Sequence, residues 1–290
     1  MNGALVIVNP TAGGGRTGRL APELVKLLPD SWRAEVVFTD RPGHATQLAR
    51  DAAAAHVARV IAVGGDGTIL ECAAGILGSE TQLGTVPTGR GCDFNRSAGL
   101  PRDPASAARA LGASVPRAVD VGMAGEQPFL NVAGAGLDAT IARAARAGGG
   151  GGTIPYVVGL LKVLPRFSAV PVRIELDDQV LEQSVTLVAV ANGAYYAGGM
   201  MISPGARIDD GLFDVCVIGD VGRLGTLRVL PTIYSGRHLR NPAIQMYRSR
   251  HVRVEADRPV LVHRDGEEGG ELPAHFSVRP GALQLLTPNG

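Results

Sequence analysis

Lysine is almost missing from this chain: only Lys26 and Lys162 occur in 290 residues. Neither stands in the Gly-Lys-Ser/Thr ending of a Walker A loop, and the protein-kinase signature set is absent as well. Any phosphate bound here must be met by backbone N–H groups and arginines. Cysteine is scarce too. Cys72, Cys92 and Cys216 are odd in number and scattered, which excludes a disulfide framework and a cysteine zinc site. The six histidines show no His-Glu-x-x-His spacing, so a zinc hydrolase is not expected. No apolar run approaches the ~20 residues of a membrane span. The formal net charge is only +1, so no bulk attraction to nucleic acid operates and none is expected as a partner. The first residues, Met1-Asn2-Gly3-Ala4-Leu5-Val6-Ile7-Val8, lack a basic region and a small-residue cleavage site. They read as a first strand, not a signal peptide, and the expected location is cytoplasmic.

What is abundant is glycine, 40 residues of it, and its most informative cluster is Gly64-Gly65-Asp66-Gly67-Thr68. This stretch follows the apolar run Val60–Val63 and precedes Ile69-Leu70-Glu71-Cys72-Ala73-Ala74, a helix start. Glycines allow close backbone approach and positive φ. A helix N-terminus offers unpaired N–H groups and the positive end of a dipole to phosphate. Asp66 supplies a carboxylate where the magnesium of a nucleotide would sit. A tight strand-to-helix turn that binds nothing has the same local pattern.

The first ~120 residues alternate strands and helices in the βαβ manner. Strands are expected at Leu5–Asn9, Ala34–Thr39, Val60–Val63 and Gln82–Val86. Helices are expected at about Leu20–Leu28, Gly43–His56 and Thr68–Leu77. Short apolar strands between helices indicate a parallel sheet covered on both faces. Its glycine loops fall at strand C-termini, where open α/β sheets bind ligands. From about Val115 the pattern becomes antiparallel: Val172–Leu176 and Val180–Val190 around Asp177-Asp178, then Leu212–Ile218, Val252–Glu255, Val260–His263 and Phe276–Val278. Helices interrupt it at Ile154–Leu164 and Leu224–Tyr234. This half reads as a sandwich, and Gly148–Gly152 as a mobile loop.

Four stretches accompany the glycine turn: Asn9-Pro10-x-Ala12-Gly13-Gly14-Gly15; Asn131–Ala139; Asn192-Gly193 with Gly198–Asp214, which contains Ser203-Pro204-Gly205-Ala206-Arg207-Ile208-Asp209-Asp210-Gly211-Leu212-Phe213-Asp214; and Asp265-Gly266-Glu267. In this order, over nearly the whole chain, they resemble the diacylglycerol-kinase catalytic family, which includes bacterial lipid kinases, sphingosine kinases and ceramide kinases. The resemblance implies an α/β nucleotide-binding domain, residues 1–118 with a return strand in 280–290. It also implies a β-sandwich lipid-substrate domain, residues 119–279, with the active site in the cleft between them. It implies ATP and Mg²⁺ as cofactors, and nucleotide contacts at Asn9, Thr39, Gly64, Gly65, Asp66, Gly67, Thr68 and Glu71. Asp66 would hold the metal or its water. Glu267 would be the general base for a lipid hydroxyl. A second, structural Mg²⁺ would use the Asp210 carboxylate with the carbonyls of Arg207 and Leu212. The implied partner is a lipid at a membrane surface, reached by peripheral association; a homodimer is left open. Taken alone, Asp265-Gly266-Glu267 and Asp209-Asp210-Gly211 are ordinary turns.

One departure stands out. The family reads Pro-Leu-Gly-Thr-Gly-Asn-Asp-Phe where this chain has Pro87-Thr88-Gly89-Arg90-Gly91-Cys92-Asp93-Phe94. Arg90 replaces the threonine that touches phosphate, and a guanidinium is a strong phosphate donor. Two rivals follow: an NAD kinase-like small-molecule kinase, which shares the glycine turn, and a non-catalytic nucleotide- or lipid-binding homologue, motivated by Arg90 and Cys92. Finally, Thr153–Phe167 is apolar on most sides, with Lys162 and Arg166 four apart, and is expected to line the route of lipid entry; a buried helix is the alternative.

Overall fold

The computed structural model describes residues 3–147 and 153–289. The glycine run Gly148–Gly152, expected to form a loop, lies outside the described residues. Two compact units form: residues 1–120 with 280–290, and residues 121–279. The chain leaves the first within one strand, Ser114–Ala124, and re-enters it within another, Ala274–Pro288.

The first unit runs β1 (Ala4–Val8), α1 (Arg16–Val25), β2 (Glu35–Phe38), α2 (His44–Ala54), β3 (Arg59–Gly64), α3 (Asp66–Ile76), β4 (Gln82–Pro87), α4 (Asp93–Ser97) and α5 (Pro104–Leu111). The strands β4, β3, β1 and β2 are neighbours in that order and all pair in parallel. The chain's end adds a further parallel strand on β4, with Gln284 opposite Gln82 and Leu285 opposite Leu83. Strands buried on both faces need uninterrupted apolar sequence, and β1 and β3 supply it: Val6, Ile7, Val8, Val60, Ile61 and Ala62 have no exposed surface. α1 begins at Arg16, one turn earlier than Leu20, because Gly13, Gly14 and Gly15 all take positive φ (61°, 70°, 83°) and turn the chain sharply into the helix.

The second unit continues with β5 (Ser114–Ala124), β6 (Gln127–Phe129), β7 (Val132–Gly136), α6 (Leu137–Ala147), α7 (Thr153–Val163), β8 (Val170–Glu175), β9 (Val180–Ala191), β10 (Tyr195–Tyr196), β11 (Met200–Met201), β12 (Phe213–Gly219), α8 (Gly222–Ile233), β13 (Ile244–Ser249), β14 (His251–Glu255), β15 (Leu261–Arg264), β16 (Glu267–Glu271) and β17 (Ala274–Pro288). Its strand pairs are antiparallel. β9 is the hub. Its first half pairs with β8, and its second half lies between β7 and β12. Alternation along β9 divides the interior into two apolar clusters. Val188 and Val190 face Phe129, Phe213 and Phe276, whereas Leu187, Ala189 and Ala191 face α6, α7 and α8. Phe129 stacks on Phe213 at 5.6 Å and meets Phe276 edge-on at 6.5 Å, arrangements that add to area burial.

Candidate active-site residues and family membership

The four parallel strands end side by side, and the residue that follows or ends each is a candidate. Asn9 follows β1, Thr39 follows β2, Gly64 ends β3 and Thr88 follows β4. The ladder carries on into these residues: Asn9 N–H donates to Val63 O (3.0 Å), Thr39 N–H to Val8 O (2.8 Å) and Thr88 N–H to Gly64 O (2.7 Å). Such a row of strand C-termini is where open α/β sheets bind ligands.

Side chains lock the row. Asn9 Nδ2 donates to Thr68 Oγ1 at 3.1 Å, while Asn9 Oδ1 accepts from the Thr11 N–H and hydroxyl. Thr17 and Thr88 share a buried hydroxyl pair at 2.5 Å. The glycine turn works differently from the sequence-based expectation. Gly64, Gly65 and Gly67 are not among the positive-φ residues. Their value is space: a Cβ on Gly64 would lie 2.5 Å from Thr68 Oγ1, and one on Gly89 would lie 2.8 Å from Gly65 Cα. Positive φ belongs instead to Gly13–Gly15, and a Cβ on Gly13 would meet Thr88 O at 2.7 Å. α3 starts at Asp66, and its N-cap residue Gly65 supplies no side-chain cap; a helix start of this kind suits an anion.

Asp66, half-buried on the first turn of α3, is held by the loop after β4. Its Oδ1 accepts from Phe94 N–H at 3.1 Å. Burial raises its pKa above the usual carboxylate range, opposed by backbone N–H groups of Phe94, Asp93 and Cys92. Cys92 adopts a left-handed backbone (φ 52°), a conformation that asparagine, the family's residue here, takes more readily. Burial, Asp66 and Asp93 push its thiol pKa up, so it stays protonated. Arg90 is exposed at the loop tip.

Glu71 departs from expectation. Its Oε1 accepts from Gly43 N–H (3.0 Å) and its Oε2 from Ala45 N–H (3.2 Å). Both oxygens thus cap α2, where unpaired amides and the helix dipole attract a carboxylate. The side chain that was expected to contact nucleotide is used to hold α2 against α3.

In the second unit, Asp265 and Gly266 take φ 47° and 79° at a two-residue turn joining β15 to β16, where Arg264 faces Glu267. This Asp-Gly hairpin has the positive-φ pair that such turns require. Asp265 is also anchored. Its carboxylate accepts from Leu130 N–H (2.6 Å), Asn131 N–H (2.9 Å) and Val132 N–H (3.0 Å). Asn131 O in turn accepts from Asn192 and Gly193 N–H groups, and Asn192 Nδ2 donates to Leu130 O at 2.8 Å. The Asn131, Asn192 and Asp265 stretches therefore form one network that fixes the hairpin. Glu267 is exposed on it and lines a cavity of about 230 Å³ with Arg143, His263, Glu268 and Glu271.

A pair not foreseen from the sequence stands behind that cavity. His263 Nε2 and Asp138 Oδ2 are 2.9 Å apart and almost fully buried. Tyr196 stacks on the imidazole at 5.9 Å. A side chain on Gly134 would intrude, its Cβ 3.0 Å from Asp138 Oδ2 and 3.3 Å from His263 Nε2. Asp138 lies in a glycine-rich stretch singled out from sequence, but nothing in the sequence pairs it with a histidine 125 positions away.

Of the two positions where magnesium was expected, the surroundings of one speak against it. Among the described residues, no three His, Cys, Asp or Glu side chains converge on a metal site. At Asp66, a single carboxylate beside helix amides suits an ion held mainly by substrate phosphates. At Asp210 the surroundings do not fit. Asp210 Oδ1 accepts from Leu212 N–H at 3.2 Å, and Oδ2 is ion-paired with the Arg248 guanidinium. Asp214 Oδ2 lies 4.0 Å from Arg248 Nε. A cation already stands where the second Mg²⁺, with Arg207 and Leu212 as carbonyl ligands, was expected.

Two family models match successive parts of the chain. Residues 3–124 match the diacylglycerol kinase catalytic domain, and residues 131–287 match the YegS C-terminal NAD kinase beta sandwich-like domain. The chain belongs to the diacylglycerol-kinase catalytic family. It is a kinase. A diacylglycerol kinase of Mycobacterium tuberculosis (strain ATCC 25618 / H37Rv) is 31% identical over 291 residues, covering 97% of this chain and 94% of that protein. One from Bacillus subtilis (strain 168) is 30% identical over 282 residues, 95% of this chain and 93% of the relative. A crystal structure of a diacylglycerol kinase from Bacillus anthracis str. Sterne superposes with a TM-score of 0.74 at 26% identity, over 98% of this chain and 96% of that one. No helix among the described residues is long and apolar enough to cross a membrane.

Proposed function

We propose that this kinase transfers the γ-phosphate of ATP, with magnesium, to the hydroxyl of a membrane lipid such as diacylglycerol. The observation that carries the reading is the row of four strand ends locked by Asn9–Thr68 and Thr17–Thr88, combined with relatives that are diacylglycerol kinases over the full chain.

Phosphoryl transfer asks mainly for positioning and charge neutralisation. The Gly13–Gly15 loop and the uncapped start of α3 would receive phosphate oxygens, and Arg90 would add a guanidinium. Magnesium, when bound, neutralises charge on the phosphates, and Asp66 is the residue that would hold it or its water. Glu267 would take the proton of the lipid hydroxyl as the new O–P bond forms and the bond to ADP breaks. Its hairpin is held by three hydrogen bonds that the backbone N–H groups of Leu130, Asn131 and Val132 donate to the Asp265 carboxylate, so Glu267 stands on an anchored turn. An alcohol is far too weak an acid for Glu to deprotonate beforehand, so proton transfer must accompany bond formation.

The test is transfer of labelled γ-phosphate to diacylglycerol, a sphingoid base and NAD, the lipids supplied in mixed micelles. Transfer to diacylglycerol is expected. Transfer to NAD alone would overturn the reading in favour of a small-molecule kinase, and ATP binding without transfer to any acceptor would favour a non-catalytic homologue.

A further inference from the structure

Acidic residues are missing from two long stretches of the second unit. Between Asp138 and Glu175 there is none, and between Asp220 and Glu255 there is none. Each stretch supplies a helix over the same apolar cluster. α7 buries Leu160, and α8 buries Thr226, Val229 and Ile233. An amphipathic helix at a protein surface should turn polar groups outward. These two do not.

On α8 the residues at helical spacing opposite the core are Leu224, Leu227, Pro231 and, just past the helix end, Tyr234. Leu224 is 71% exposed, Leu227 42% and Tyr234 37%. On α7 the outward side carries Val157, Val158 and Leu161, with Leu161 59% exposed. The charged side chains along both stripes are positive; the nearest carboxylate in sequence, Asp220, lies ahead of α8, where it accepts from Gly222 N–H. Arg223, Arg228, Arg237 and Arg240 border α8, and Lys162 and Arg166 border the end of α7; all are exposed. An apolar stripe rimmed by long cationic side chains is the pattern of a helix lying in a lipid interface, apolar residues inserted and cations at the headgroups.

The geometry points to α8 and its continuation to Arg240, together with the outer side of α7, as a docking surface for an anionic phospholipid bilayer. Charge complementarity selects the occupant. A second copy would bring the same cations against these, with no carboxylate on either stretch to pair them, so self-association through this face is disfavoured. The choice of a membrane as occupant rests on the lipid-kinase reading. The surface goes beyond it, because the sequence-based expectation involved α7 alone, and α8 carries the more exposed stripe.

The proposal is tested by sedimentation of the full chain with vesicles of phosphatidylcholine alone and with one third phosphatidylglycerol, and by phosphorylation of a monodisperse short-chain diacylglycerol. Two variants are compared: Leu224→Asp with Leu227→Asp, and Arg223→Glu with Arg228→Glu. All four positions are exposed, so unchanged melting temperatures are expected to verify folding. The parent should prefer anionic vesicles and lose them at high salt. Each double variant should bind them on the order of 10-fold or more weaker, with short-chain activity retained. Parental vesicle binding in both variants, or equal binding of the parent to neutral vesicles, would overturn the proposal. A concentration-dependent dimer broken by the leucine substitutions would assign the stripe to a second copy instead. Parent that binds anionic vesicles but phosphorylates no lipid would sink the kinase reading and leave the surface standing.

Discussion

Replacing Asp66 by Asn should remove activity without unfolding the protein. The carboxylate is partly buried between the start of α3 and the loop after β4, and Phe94 N–H donates to its Oδ1 at 3.1 Å. Asn keeps an oxygen there, so the bond survives in neutral form. A hydrogen bond to a charged group is worth about 1.5–3 kcal/mol and a neutral one about 0.5–1.5, so roughly 1 kcal/mol is lost. Against that loss, burial has raised the pKa of Asp66. The folded state therefore holds the proton more tightly than the unfolded one, and the ionised carboxylate opposes folding at neutral pH. Removing the charge relieves that opposition. The two effects have opposite sign, and the melting temperature should move by no more than about 3 °C either way. Activity should behave otherwise. If Asp66 supports the metal and phosphates, its loss should lower kcat by ~10²-fold or more, the scale of one preorganised electrostatic contact. The assay pairs thermal unfolding with initial rates on diacylglycerol micelles at saturating ATP. A folded Asn variant with near-parental kcat would refute the assignment. A fall in melting temperature of more than about 8 °C, roughly 2 kcal/mol or more, would show that Asp66 is principally a clamp on the loop after β4.

Further outcomes are expected. Glu267→Gln should lower kcat by ~10²–10⁴-fold with little change in KM for ATP; a loss under about threefold in steady-state kinetics would return the residue to a plain hairpin position. Gly13→Ala should destabilise by about 2–4 kcal/mol, since it adds positive-φ strain to a Cβ 2.7 Å from Thr88 O, whereas Gly14→Ala, with nothing within 4 Å, should show only about 1–2 kcal/mol in denaturant melts. Arg248→Ala should cost about 1–2 kcal/mol, discounted for the exposure of the guanidinium, because it strips Asp210 and Asp214 of their cation; a parent whose melting temperature rises with stoichiometric Mg²⁺ bound beside Asp210 would contradict that view. His238 is buried with Nε2 3.0 Å from Ile202 O, and burial lowers its pKa. The unfolded chain then binds the extra proton, so stability should be complete above pH ~6.5 and fall below it by up to about 1.4 kcal/mol per pH unit. His238→Gln should flatten that slope in melts between pH 5 and 7.

The sequence spoke most clearly where structure is local. β1, β3 and β4 announce themselves because a strand covered on both faces must be apolar throughout, and the glycine turn marks the end of β3 by needing a residue without a side chain against Thr68. Elements whose form depends on a partner were hidden. β16 reads Glu267-Glu268-Gly269-Gly270-Glu271, poor strand sequence by composition, and is a strand because the Asp265-Gly266 turn folds it onto β15. α6 was visible only as a glycine-rich motif, although Ile141 and Ala145 lie four apart on its buried face. α5 has a start signal in its sequence, Asp103 before Pro104, and the Asp103 carboxylate accepts from Ser106 N–H at 2.8 Å. The site divides along the same line. Motif order brought out Asp66, Asn9, Thr68 and the Asp-Gly-Glu hairpin, but not what each side chain does. Glu71 and Asp265 spend their carboxylates on backbone amides, and every residue type carries the same amide, so no pattern of side chains could show those bonds. The His263–Asp138 pair depends on β15 lying beside β7, a register that only the folded sheet supplies. Asp265 shows the difference between a motif and its structural use: its carboxylate accepts three backbone N–H groups and so holds the turn, and the held turn fixes where Glu267 stands at the start of β16.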